Sequence, residues 1–261
     1  MKTSIRIVTV RLAALALLVH AGSADAAEIK LLSTNQMKTV MQELGPKFER
    51  ATGHKLAITF AGLGRIVKHV QRGDAVDVVI TLREGIDGFV KDGKADAGNV
   101  TVVARSRGLG VAIRKGAPKP DISSPEALKR TLLAAKSIIY DNPADGGASG
   151  IQFTKVLNRL GIANEMEPKT VFTPPRGGAE ALGLMVANGQ AEIGVHQFVE
   201  LIPVAGIELV GTLPGDFQET IVLSAAIMPG AKDAAASKAL VDFLRTPEAA
   251  TVMKAKGLEP G

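Results

Sequence analysis

The chain has 261 residues, with 31 Lys and Arg against 26 Asp and Glu, a net charge of +5. It has no Cys, no Trp and a single Tyr. Disulfides, iron–sulfur clusters and thiol chemistry are therefore excluded, and little aromatic surface is left for stacking on nucleic-acid bases or sugars.

Residues 1–26 read as a secretory leader. Lys2, Arg6 and Arg11 are followed by the apolar run Leu12 to Val19 and by the small-x-small site Ala24-Asp25-Ala26. The run is far short of the ~20 residues that a membrane-spanning helix needs. The expectation is export to the periplasm. Removing this segment leaves a chain of about 235 residues with a charge of about +3. Mild basicity suits a small anionic ligand better than nucleic acid. The reading is of a monomer without metal or cofactor.

The remaining sequence is a series of strand–loop–helix units. A strand over Glu28 to Leu32 leads through Ser33-Thr34-Asn35 into a helix from Gln36 to Ala51, where Met37, Val40, Met41, Leu44 and Phe48 recur at helical spacing. Strand Lys55 to Phe60, loop Ala61-Gly62-Leu63-Gly64 and helix Arg65 to Gln71 repeat the plan. So do strand Asp77 to Thr81 and helix Glu84 to Lys91. This alternation predicts a parallel sheet covered by helices on both faces.

Val100 to Arg114 is a long extended stretch broken at Arg105-Ser106-Arg107-Gly108, which predicts a crossover to a second lobe. There, a helix starting at Pro125 with Ser124 as N-cap precedes strand Ser137 to Asp141. Loop Asn142 to Gly147 enters a helix over Ala148 to Leu160. Strand Thr170 to Phe172, helix Ala179 to Asn188, strand Glu192 to Val195 and strand Ile207 to Leu213 follow. Strand Glu219 to Met228 predicts the return crossover, and helices over Lys232 to Arg245 and Pro247 to Lys256 close the chain.

In open α/β sheets, ligands sit at the carboxyl ends of strands, where helix N-termini offer free N–H groups to an anion. Four such loops carry small or hydroxyl residues: Ser33-Thr34-Asn35, Gly62-Leu63-Gly64, Ala148-Ser149-Gly150 and Arg176-Gly177-Gly178. The competing reading of each is helix capping or a plain turn. Asp74 and Asp77 lie at the amino end of a strand and read as structural. His54 and His69 read as surface residues. Asp141 holds its loop or touches the ligand.

The order and spacing of these pieces resemble the molybdate-binding-protein branch of type II periplasmic solute-binding proteins. The resemblance rests on the Ser33-Thr34-Asn35 loop, Phe60 to Arg65, Ala75 to Ile80, Asp141 to Gly150 and Ala187 to Gly194. It implies an α/β fold of two lobes, one from residues 27–105 and 224–261, the other from 106–223, with the ligand between them. It also implies a ligand-facing residue at His196.

The family's second loop is of a Gly-Ser-Ser-Gly type, whereas this chain has Gly62-Leu63-Gly64-Arg65. Arg65, Arg83, Arg105, Arg107 and Arg176 stand near candidate loops instead, with Thr81 ending the strand before Arg83. Arginine's planar fork matches a carboxylate. The expected ligand is therefore a di- or tricarboxylate, handed on to an inner-membrane transporter. Members of this branch also include aconitate isomerases, which implies an alternative: Arg65, Arg83 and Arg176 as clamps, and His196 as the proton-moving group. Molybdate or another oxyanion is the third reading.

Overall fold

The computed structural model describes residues 26–261. Apart from Ala26, the leader lies outside the described residues. The chain runs β1 (Glu28–Thr34), α1 (Lys38–Thr52), β2 (Lys55–Ala61), α2 (Leu63–Arg72), β3 (Val78–Leu82), α3 (Arg83–Lys91) and β4 (Val100–Arg107). It continues through β5 (Leu109–Arg114), α4 (Pro125–Ala134), β6 (Ile138–Tyr140), α5 (Ala148–Leu160), α6 (Ala163–Met166), β7 (Thr170–Phe172) and α7 (Gly178–Ala187). Last come β8 (Ile193–Gln197), α8 (Phe198–Leu201), β9 (Ile207–Thr212), β10 (Thr220–Ile227), α9 (Ala234–Phe243), α10 (Pro247–Ala255) and β11 (Leu258–Pro260). No helix among the described residues is long and apolar enough to cross a membrane.

The strands form two sheets, ordered β11-β4-β10-β3-β1-β2 and β7-β6-β8-β5-β9. Each sheet with its helices makes one lobe of a two-lobed α/β fold. The sheets are mixed rather than parallel, which corrects the sequence expectation. β1 pairs with β2 and β3 in parallel, and β6 with β7 and β8. β10 runs antiparallel to β3 and β4, and β5 antiparallel to β8 and β9. β5 and β10, the strands that enter their sheets from the other lobe, are the ones that run against their neighbours.

The first passage is confined to Gly108, between β4 and β5. The β4–β10 ladder continues to Arg107 and Thr220, so the first sheet extends past the division expected at Arg105 and Ser224. Gly108 N–H donates to the Glu219 carbonyl at 2.7 Å, fastening the two passages together. A Cβ at Gly108 would stand 2.8 Å from that same oxygen, so the contact requires glycine.

The first lobe packs the apolar face of α1 (Val40, Met41, Leu44, Phe48) onto β1 and β3, whose Leu31 and Ile80 are fully covered. The second packs Phe153 and Leu157 of α5 and Leu128 and Leu132 of α4 against β5, β6 and β8. The buried Asp77 carboxylate accepts the Lys30 N–H at 2.7 Å and the Lys232 N–H at 2.8 Å. It ties the amino end of β3 to β1 and to the segment before α9, a structural role as the sequence reading held.

Candidate functional site: an interlobe cavity

Loops from both lobes meet around a cavity of about 500 Å³, within the range of small-molecule pockets. The first lobe contributes Thr34, Asn35 and Gln36 after β1, and Gly62, Leu63, Gly64 and Arg65 at the start of α2. The second contributes Asp141, Asn142, Asp145 to Ser149, Thr173 to Arg176, and His196, Gln197 and Glu200 around the end of β8.

The helices that start at this cavity have no side-chain cap. The N-cap residues are Gly62 for α2, Gly147 for α5 and Gly177 for α7, and none supplies an acceptor. Three helices that start elsewhere, α4, α9 and α10, are capped: Ser124 accepts from Ala127 N–H, Asp233 from Ala236 and Thr246 from Ala249. Ser33, Thr34 and Ser149 cap nothing. Ser33 Oγ donates to the Thr34 carbonyl at 3.3 Å, and Ser149 Oγ to Asp141 Oδ2 at 2.6 Å. Apart from the N–H of Arg65, which donates to the Gly62 carbonyl at 3.0 Å, the first-turn N–H groups of these helices are thus left to whatever enters, in the positive field of the helix ends.

An acid–base cluster forms the floor. Asp141 Oδ1 accepts from Thr173 Oγ1 at 2.7 Å, and Oδ2 accepts from Ser149 and from His196 Nε2, the latter at 3.0 Å. Burial works to raise the Asp141 pKa, but the imidazolium and the two hydroxyls outweigh it and hold the carboxyl well below the usual range. His196 is only 3% exposed. Burial opposes its charge, yet the Glu200 and Asp141 carboxylates prevail and raise its pKa. Its Nδ1 has no hydrogen-bond partner among the described residues and lies 4.0 Å from Glu200 Oε2. Glu200 is displaced upward, first by burial and then by the Asp141 charge, against the pull of His196 and Lys38.

The rim is cationic. Arg65, Lys68, His69 and Arg72 of α2 face the cavity, as does Arg176 from the second lobe. Asp74 binds Arg72 Nη2 at 2.7 Å and lies 2.6 Å from His69 Nδ1; these two partners hold its pKa at about 2. Arg65, Lys68 and Arg176 pair with no carboxylate among the described residues. Arg176 has φ 69°, a left-handed backbone that is uncommon outside glycine. Gly177 N–H donates to the Pro174 carbonyl at 2.9 Å and closes the turn that holds it.

The cavity brings together Thr34, Asn35, Gly62, Leu63, Arg65, Ser149, Arg176 and His196 of the sequence candidates. The others lie off its wall. Arg83 is half exposed and donates to Asp87 at 2.7 Å, one turn along its own helix. Arg105 and Arg107 point to solvent from β4, and Arg105 donates to the Pro260 carbonyl at 3.2 Å. Ser33 and Thr81 are fully buried in the first sheet. Gly150 sits beneath the Asp141 carbonyl, which a Cβ would approach to 2.0 Å, and Gly177 belongs to the turn before α7.

Lys68, Arg72, Gln36, Gln197 and Glu200 were not legible as cavity residues, and His69 stands on the rim rather than on an unrelated surface. For Lys68 and Arg72, one signal existed. With Arg65 they recur at i, i+3 and i+7, so two turns of α2 place them on one face.

The chain matches the family model for a bacterial extracellular solute-binding protein over residues 29–259. It is similar to an aconitate isomerase of a Pseudomonas species, with 32% identity over 238 residues, 89% of this chain and 87% of the relative. It is also similar to the molybdate-binding protein ModA of Azotobacter vinelandii, with 29% identity over 241 residues, 90% of this chain and 91% of the relative. The solved Azotobacter vinelandii periplasmic molybdate-binding protein superposes with a TM-score of 0.72 at 19% identity, over 89% of this chain and 99% of that one. That likeness speaks to the fold, which is the two-lobed fold described above. By the extent of the match, the chain belongs to the bacterial extracellular solute-binding protein family.

Proposed function

We propose that this protein captures a small organic polycarboxylate between its lobes, in the periplasm, and passes it to an inner-membrane transporter. One observation carries the reading: Arg65, Lys68 and Arg176 stand at the cavity with no carboxylate partner of their own. Uncapped helix N-termini add donors from both lobes. Two guanidinium forks on opposite lobes suit a ligand with at least two carboxylates, since each fork takes one.

A thermal-shift panel tests the class. Trans-aconitate, citrate and tricarballylate are expected to raise the melting temperature, and stabilisation by molybdate or sulfate alone would sink the reading. Charge-assisted hydrogen bonds contribute about 1.5–3 kcal/mol each, so Arg65→Ala and Arg176→Ala should each weaken tricarboxylate binding by about 10- to 100-fold. Titration calorimetry measures this, and an unchanged affinity in both variants refutes the clamp.

The Asp141–His196–Glu200 floor favours a second reading, isomerisation of an allylic tricarboxylate. A base removes a proton from the methylene carbon, the double bond shifts by one position, and the proton returns to the far carbon. His196 Nε2 is committed to Asp141, so Nδ1 and Glu200 are the groups free to carry that proton. Incubation with trans-aconitate should then yield cis-aconitate, and His196→Gln should abolish turnover while sparing binding. Absence of turnover in the wild-type protein removes this reading and leaves capture intact.

A further inference from the structure

Ligand capture by cations gives Glu200 no task, yet Glu200 faces the same cavity. It lies on α8, beside Val199, which is buried in the core of the first lobe. Its side chain is 13% exposed. The charged groups around it are His196 and Asp141 of its own lobe and Lys38 at the start of α1. Among the described residues none donates a hydrogen bond to its carboxyl; His196 Nδ1, at 4.0 Å, is beyond reach. A nearly buried carboxyl with open acceptor sites therefore lines a cavity whose rim collects anions.

Two carboxyl groups brought together in one site cannot both stay ionised and unprotonated; they hold one proton between them. We propose that Glu200 is a specificity-determining group of this cavity, sharing one proton with a carboxylate of the ligand. The inference rests on the polycarboxylate reading and narrows it. A fully ionised ligand takes up one proton from solution as it binds, and that proton bridges a Glu200 oxygen and a ligand oxygen. Sulfate, whose oxygens hold a proton only weakly, meets repulsion at the same place. Glu200 thus selects against strong-acid oxyanions while the cationic rim attracts anions in general.

The experiment is calorimetric titration of the intact protein with trans-aconitate near pH ~8, where carboxylic acids are ionised, in buffers of different ionisation enthalpy. The wild-type protein is expected to take up about one proton per ligand, with affinity falling about tenfold per pH unit on the alkaline side. Glu200→Gln is expected to bind with about no uptake, a flat pH profile and a gain in sulfate affinity. If Glu200→Gln binds and still takes up the proton, His196 is its acceptor and the proposal is overturned. If the wild-type protein binds without uptake, the proposal is overturned whether or not the variant folds. If no carboxylate binds at all, the polycarboxylate reading fails first and this one with it.

Discussion

Asp141→Ala is expected to lower the free energy of unfolding by about 3–5 kcal/mol, the range seen when one partner of a buried ion pair is removed. The substitution takes from the buried His196 imidazolium its hydrogen-bonded counter-ion, leaving only Glu200 at 4.0 Å, and strips the Ser149 and Thr173 hydroxyls of their acceptor. Urea denaturation reads the loss directly, and a change within ~0.5 kcal/mol, the range of ordinary surface substitutions, would show that Asp141 does not organise the floor. Asp141→Asn separates charge from shape. It keeps an acceptor but removes the ion, so the His196 pKa should fall, because burial then acts with less opposition. Ring-proton NMR measures that shift.

The same cluster sets the pH dependence of stability. Asp141 is depressed, so its contribution is present above the ordinary carboxylate value and is lost as pH falls toward its folded value. His196 is raised, so its contribution is present below about 6.5 and is lost as pH rises through its folded value. Glu200 is also raised and favours the protonated fold, so it too makes stability decline with rising pH, starting from about 4.3. The wild-type protein is thus expected to lose stability on the alkaline side. Asp141→Asn should flatten that limb.

The sequence carried the elements far better than it carried the walls of the cavity. Period and punctuation located α5 over Ala148–Leu160 and β7 over Thr170–Phe172 without error, and the Ser124 cap before α4 was visible as Ser-Pro. Strand direction was not visible, because a chain that leaves one sheet and re-enters it later has the same local pattern in either orientation. Arg83 lies off the cavity wall and pairs with Asp87 one turn away, a helical ion pair readable from spacing. Arg105 and Arg107 alternate with buried Ser106, a period-two signal that places both arginines on the solvent face. Glu200 had no comparable signal. It follows a strand by three residues, in a helix of four, beside Val199, which is buried in the core of the other lobe.

Gly64→Ala is expected to weaken ligand binding by about tenfold or more while leaving the ligand-free protein as stable as before or slightly more so. The lobes meet backbone to backbone at this residue. A Cβ on Gly64 would stand 2.9 Å from the Gly146 carbonyl oxygen and 3.2 Å from both the Asp145 carbonyl oxygen and the Gly146 Cα. The atoms in the way are main chain, so no side chain can turn aside. Gly146 has φ 75° and closes the turn opposite, which limits its own retreat. Alanine therefore holds the lobes apart at the mouth of the cavity, and Arg65 and Arg176 no longer reach one ligand together. Within α2, however, alanine is the better helix former, by up to about 1 kcal/mol, less at this second helical position than in a helix interior. The two effects have opposite signs and separate cleanly: chemical denaturation without ligand reads the helix, and calorimetric titration reads the contact between lobes. Loss of stability together with affinity would mean that Gly64 serves the packing of its own lobe. Unchanged affinity would mean that the lobes need not touch here to hold the ligand. Gly88, a helical glycine of α3 with open space at its Cβ position, is the control: Gly88→Ala should give a helix gain at least as large and no change in binding.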